Sequence, residues 1–171
     1  SGDDIMVSAG GSVQRMEGMF GFDWGIAKND TLSVDFNLSI PFFTSEPADV
    51  LRDRFDLVES LSGWQFNDLL TGDDRGHVPA ALFPDLITPS ALFVHHVLDQ
   101  EGINRIDGFS QLLGGAGFTL GLSQVAGTTT TFREGNVLLG GDGNDTLIGR
   151  GGYDILDGDA WLNVRIKIDI A

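Results

Sequence analysis

Cysteine is absent from this chain, which excludes a disulfide scaffold, thiolate metal sites and thiol catalysis. A protein working outside the cell without disulfides must gain rigidity some other way, and a bound metal is one such way. Basic residues are also scarce: 10 Lys and Arg stand against 25 Asp and Glu, a net charge of −15. Phosphate backbones are bound by Lys and Arg patches, so nucleic acid is excluded as an expected partner. An anionic membrane surface is disfavoured for the same reason. No apolar run approaches the roughly 18 residues of a membrane span, so no membrane insertion is expected. Glutamate is rare as well, with 5 residues against 20 Asp. Asp is poor in helices and suits tight loops and oxygen-ligand sites.

What the chain has instead is glycine and aspartate on a nine-residue beat. The stretch "LLGGDGNDTLIGRGGYDILDGD" contains Gly140-Gly141-Asp142-Gly143-Asn144-Asp145-Thr146-Leu147-Ile148, followed by a second unit from Gly149 to Asp157. The first matches the nonapeptide G-G-x-G-x-D-x-U-x at every fixed position. The second has Gly149, Gly151, Gly152 and Asp154 in place and departs at Arg150. One step back, "TFREGNVLL" puts Asn136 at the Asp position; one step forward, "GDAWLNVRI" puts Asn163 there.

In each unit the first six residues turn sharply and aim backbone carbonyls at a common point, a task for glycine. The Asp adds a carboxylate to the same point, making a hard oxygen cage suited to Ca²⁺. The last three residues form a short strand with its apolar residue inward. Two units make one coil, so the spacing pairs Asn136 with Asp154 and Asp145 with Asn163. A cation between stacked loops offsets carboxylate repulsion.

This stretch resembles the RTX, or haemolysin-type, calcium-binding nonapeptide repeat of secreted bacterial proteins. The resemblance implies a right-handed parallel β-roll that folds on calcium after export through a type I secretion system, hence an extracellular location. Fainter units lie elsewhere. "GWQFNDLLT" carries Asp68; "GDDIMV" supplies Asp4 and "GMFGFDWGI" supplies Asp23, and these last two Asp are 19 apart, one residue more than two units, which suggests a bulged coil with Val13 or a neighbour at the intervening Asp position.

The expected architecture is therefore mainly β: a β-roll of degenerate repeats in blocks of about 1–26, 57–72 and 131–166, with insertions at about 27–56 and 73–130. In the first insertion Leu32, Val34, Phe36, Leu38 and Ile40 alternate as in a half-buried strand, and Arg52 and Arg54 read as surface salt-bridge partners. In the second, Thr88-Pro89 opens a helix that stops at Gly102, and a second short helix holds Ile103, Ile106 and Phe109. The remainder, "GGAGFTLGLSQVAGTTTT", reads as loop. This helical excursion is expected to pack on or cap the roll. Both ends of the chain read as cut from a longer polypeptide, whose remainder is an expected partner.

His95 and His96 are adjacent, so on a helix they diverge and cannot chelate together; with His77 they read as surface or interface residues. Glu59 with Asp56, and Asp73 with Asp74, read as ligands or solvated faces rather than catalytic pairs. No G-x-S-x-G context supports a nucleophile.

More narrowly, "RMEGMFGFDWGI", "VLRDRFDLVESLSGWQFNDLLTG" and "GRGGYDILDGDAWLNVRI" are similar to a segment of large secreted bacterial proteins that join an animal-type haem peroxidase domain to RTX repeats. No peroxidase histidine motif is found here, so the resemblance implies a place within a larger protein and does not transfer the activity. The expectation is a non-enzymatic module binding on the order of two to five Ca²⁺. The alternative is an adhesion or carbohydrate-interaction module, for which exposed Trp24, Trp64 or Trp161 would speak.

Overall fold

The computed structural model describes residues 2–8, 10–74, 98, 102–103, 109, 122–125, 129–132 and 135–164. The expected second insertion, with its histidines and most of its two helices, lies largely outside these residues.

The chain is built from short strands. In order they are β1 (Ile5–Val7), β2 (Arg15–Glu17), β3 (Trp24–Ile26), β4 (Asp35–Asn37), β5 (Arg54–Asp56), β6 (Ser60–Ser62), β7 (Leu69–Thr71), β8 (Leu122–Val125), β9 (Thr129–Phe132), β10 (Val137–Leu139), β11 (Thr146–Ile148) and β12 (Ile155–Asp157), with one four-residue helix, α1 (Pro47–Val50). Among the described residues no helix is long and apolar enough to cross a membrane.

Ten of the strands pair in parallel. One sheet has the order β1-β3-β6-β10-β12, a second β11-β7-β4 and a third β2-β5, while β8 and β9 form an antiparallel hairpin. In the first sheet Met6, Gly25, Leu61, Leu138 and Leu156 share one register line. Phe36, Leu70 and Leu147 share the line of the second, and Met16 and Phe55 that of the third. These middle residues meet: Leu61, Leu138, Phe36, Leu70, Met16 and Phe55 belong to one buried cluster, with Met6 and Leu147 packed against it. A three-residue strand points its central side chain to one face and its flanking pair to the other, so a single apolar residue per unit fills the space between sheets. At Gly25 the space is taken by the Phe55 ring, which a Cβ would overlap.

The flanking pairs of the five-stranded sheet are also apolar where the sheet is covered. Trp24, Ile26, Val137, Leu139 and Ile155 form a second cluster with Leu98, Ile103, Phe109 and Leu162. Leu98, Ile103 and Phe109 thus pack on the outer face of the sheet. The backbone at Gly102 is helical rather than a helix stop.

Three further expectations are corrected. The ten-residue alternation around Phe36 yields only the three residues of β4, because the Asn37 side chain accepts hydrogen bonds from the backbone N–H and hydroxyl of Ser39 and turns the chain. The "loop" before residue 133 contains β8 and β9, paired through Val125 and Thr129; a run of β-branched threonines suits a strand better than its polarity suggests. Arg54 is buried at 3% exposure, whereas Arg52 does pair with Asp35 and Asp49. The stretch 27–56 contributes β4 and β5 to the parallel sheets.

Candidate functional site

The residue immediately before each strand carries the chemistry. Ahead of β1, β3, β6, β10 and β12 stand Asp4, Asp23, Glu59, Asn136 and Asp154; ahead of β4, β7 and β11 stand Val34, Asp68 and Asp145; ahead of β2 and β5 stand Gln14 and Asp53. Parallel pairing stacks each set into a column, and within a column each acid accepts the backbone N–H of the matching residue on the preceding strand of the sheet. Asp23 accepts from Asp4 at 2.7 Å, Glu59 from Asp23 at 2.7 Å and Asp154 from Asn136 at 2.8 Å. In the other columns Asp68 accepts from Val34 at 2.9 Å, Asp145 from Asp68 at 2.8 Å and Asp53 from Gln14 at 2.7 Å. Where no acid is present the pattern is inverted: Asn136 Nδ2 donates to the Glu59 carbonyl at 3.0 Å.

Of the residues singled out in the sequence, Asp4, Asp23, Asn136 and Asp154 therefore meet in one column, and Asp68 and Asp145 in another. Asn163 is not stacked on Asp145; its Oδ1 accepts from Lys28 at 3.3 Å. Just before it, Leu162 N–H donates to Ser62 Oγ at 3.0 Å.

The loops ahead of the acids are in backbone contact. Asp142 is exposed, and its N–H donates to the Trp64 carbonyl at 2.9 Å. A Cβ on Gly140 would overlap Asp145 Oδ2 and approach the Gly158 carbonyl, and one on Gly149 would overlap Asp154 Oδ2. Gly141 and Gly143 stand as close to the Trp64 and Phe66 carbonyls. Gly143 and Gly152 hold φ of 134° and 123° two residues before their acids. Four residues before, Gly141 (φ 100°) is matched by Met19 and Arg150, both at φ 70°. The side chain at Arg150 thus breaks the motif without breaking the turn. Gly151 is half-buried within the same loop.

The electrostatics of the columns are unfavourable to charge. Asp23 is pushed up to about 7, first by burial and then by the neighbouring Glu59, Asp4 and Asp3 carboxylates, against the pull of the Asp4 N–H. Burial likewise raises Asp68, Asp154 and Asp53, with Asp145, Asp73 and Asp30 respectively the leading like charges. Each bond to a backbone N–H uses one carboxylate oxygen. The second oxygens of Asp23 and Asp145 are buried without a hydrogen-bond partner, a costly state for a charged group. Such oxygens, beside glycines and backbone carbonyls, are of the hard type that could ligate a cation such as Ca²⁺. Among the described residues no three His, Cys, Asp or Glu side chains converge on one point, so a metal held here must draw on backbone carbonyls as well.

Sequence reading missed Glu59 and Asp53 as column members. Glu59 was detectable, since it lies nine residues before Asp68; Asp53 lacked any repeat context. The bulged unit is explained by Gln14, ten residues after Asp4 and nine before Asp23. Of the tryptophans, Trp24 is buried at 2% exposure. Trp64 and Trp161 are half-buried and stack edge to face at 4.4 Å, with Lys28 over the Trp161 ring. That arrangement weakens the case for an aromatic binding platform. Set beside known proteins, the chain matches no family model, no curated protein and no solved structure.

Proposed function

We propose that this chain is a calcium-binding β-roll module of a secreted RTX-type bacterial protein, and that its calcium is structural. The observation that carries the reading is the pairing of two features at the same positions. Stacked acids, Asp23 and Asp145 above all, hold buried oxygens without a donor, and the loops ahead of them bring carbonyls within reach of those oxygens. Bound calcium supplies the positive charge that lets stacked carboxylates stay ionised in a buried column.

The residues of the chain divide the work. Asp145, Asp23 and Asp154 each hold a neighbouring strand with one oxygen and present the other, while both oxygens of Asp68 accept backbone N–H groups, from Val34 and Trp64; Asp4 and Asn136 stand in the column of Asp23 and Asp154, and Asp142 lies in the loop ahead of Asp145. The glycines 140, 141, 143, 149, 151 and 152 let backbone approach backbone. At low calcium the columns repel and the coil is loose, which suits passage through an export channel; at extracellular calcium, binding and folding are linked. The chain is read as non-enzymatic, acting beside the remainder of a longer polypeptide.

The test is a calcium titration of EDTA-stripped protein, followed by circular dichroism and heat release, with Mg²⁺ as control. Gain of β structure and stability at a stoichiometry of a few ions, with Mg²⁺ ineffective, supports the reading. A chain already fully folded that binds no calcium overturns it.

A further inference from the structure

In the parallel register of β2-β5, Arg15 stands beside Arg54 and Glu17 beside Asp56. The Arg54 N–H, bonded to the Gln14 carbonyl at 3.0 Å, fixes that alignment. Met16 and Phe55, the middle residues, belong to the core, so both arginines leave the opposite face of the sheet. Adjacent strands lie about 5 Å apart, and like charges placed side by side across them are destabilising.

Neither arginine is neutralised by the chain. Although 25 acids stand against 10 basic residues, no carboxylate of the described residues forms an ion pair with Arg15 or Arg54, whereas Arg52 is held by Asp35 and Asp49, and Arg150 by Asp74. Arg54 is also buried, at 3% exposure. Its Nε is sealed from water without a hydrogen-bond partner, while the two terminal nitrogens, which have no acceptor either, are not sealed. The adjacent acid, Asp53, accepts the Gln14 N–H at 2.7 Å. Glu17 and Asp56, two residues further along the strands, form a like-charged pair of their own. A buried cation with no counter-charge is a costly state, and Arg15 beside it adds to the cost.

We propose that Arg15 and Arg54 form a site for one small tetrahedral oxyanion, a sulfate or phosphate group, taken either as the free ion or as the ester of a small molecule. Two guanidiniums balance a doubly charged ion, and their forked N–H donors match its oxygens. Arg54 supplies the donors withdrawn from water, where charge-assisted bonds are strongest, and the exposed Arg15 closes on the ion from the solvent side. A planar carboxylate is a poorer occupant, since one guanidinium satisfies it and the other is left unpaired. A long polyanion is poorer still: Glu17 and Asp56 on the same face, and a net charge of −15, repel whatever extends beyond the pair.

The site does not rest on the columns binding calcium, and the experiment separates the two. The full chain, labelled with ¹⁵N and kept in calcium, is titrated with sodium sulfate against sodium chloride at matched ionic strength, for wild type, Arg15→Gln, Arg54→Gln and Asp145→Asn. We expect the amides of Arg15, Met16, Arg54 and Phe55 and the Nε–H of Arg54 to shift and saturate with sulfate, and not with chloride, in wild type and in Asp145→Asn alike. Arg15→Gln, a change at an exposed position, should require at least threefold more sulfate for half-saturation, and Arg54→Gln at least tenfold more. Repeating the titration with methyl phosphate separates the two sources: saturation at the same amides supports the ester form, and saturation by sulfate alone supports the free ion. Shifts that grow with sulfate without saturating would overturn the proposal, as would equal half-saturation in wild type and Arg15→Gln. Either result leaves the column reading intact.

Discussion

The backbone N–H of Asp68 donates to Oδ1 of Asp145 at 2.8 Å, across 77 residues of sequence. One oxygen of Asp145 thus fixes the coil before it, while the other is buried and unpartnered. The two oxygens answer to different substitutions. Asp145→Asn keeps an acceptor for Asp68 and removes the charge, so in EDTA it should be neutral or stabilising, and in calcium it should lose part of the gain seen in wild type. Asp145→Ala removes the acceptor too and should cost about 1.5–3 kcal/mol in EDTA, the range for hydrogen bonds to charged groups. Urea unfolding of the three proteins with and without calcium measures both.

Asp23 sets a pH dependence of unusual direction. Its folded pKa is raised to about 7 from an ordinary 3.8, so the fold favours the protonated form. The contribution is fully present below about pH 4 and is lost as the pH rises through 7. Metal-free protein should therefore weaken between pH 4 and 7, by on the order of 2–4 kcal/mol from this group. Denaturant midpoints across this range in EDTA give the profile, and Asp23→Asn should flatten it. A wild-type profile that rises with pH would contradict the electrostatics described here.

Much of the fold could be read from the sequence because the repeat fixes both turn and strand. β10, β11 and β12 each start at the residue after the Asp position, as the spacing of Asn136, Asp145 and Asp154 requires. Other features were hidden for physical reasons. The alternation through Phe36 could not reveal that the Asn37 side chain would capture Ser39 and end the strand. Leu32, the first apolar residue of that pattern, is accordingly 71% exposed. The burial of Arg54 arises from how separate sheets meet, which no local pattern encodes. Asn163, expected to stack on Asp145, instead accepts from Lys28, and its neighbour Leu162 joins the apolar cluster on the outer face of the five-stranded sheet.

Arg150 holds a left-handed backbone that L side chains adopt at a cost of about 1–2 kcal/mol. Its guanidinium reaches Asp74 Oδ2 and Ser39 Oγ, both at 3.2 Å, contacts at an exposed position and worth under about 1 kcal/mol. Arg150→Gly should therefore raise the melting temperature. Arg150→Ala, which keeps the strain and loses the contacts, should leave it unchanged or slightly lower. Thermal melts of the pair distinguish backbone strain from side-chain pairing.

Two glycines give opposite expectations. At Gly63 a Cβ would overlap the Gly140 carbonyl and Asp68 Oδ2, whereas at Gly158 it would meet nothing within 4 Å. Gly63→Ala should destabilise by about 1–3 kcal/mol or more, because backbone must move. Gly158→Ala should stay within about 0.5 kcal/mol of wild type. Urea midpoints of the two variants measure the difference; equal values would mean that the loops are not held in contact.

Asn136 stands where the chain returns to the sheet after the long excursion from Thr71. Closing such a loop costs only a few kcal/mol, because the entropy grows with the logarithm of length. Length is therefore no obstacle, but finding the correct rung is. An ionised carboxylate can only accept, so one placed here would meet the Glu59 carbonyl with no hydrogen to give. The Asn136 amide gives one hydrogen to the Glu59 carbonyl, takes another from the Asp73 N–H, and its backbone N–H is capped by Asp154. A shift of one residue would break all three at once, so this side chain acts as a register key that lets a repeat be interrupted and then resumed on the right step.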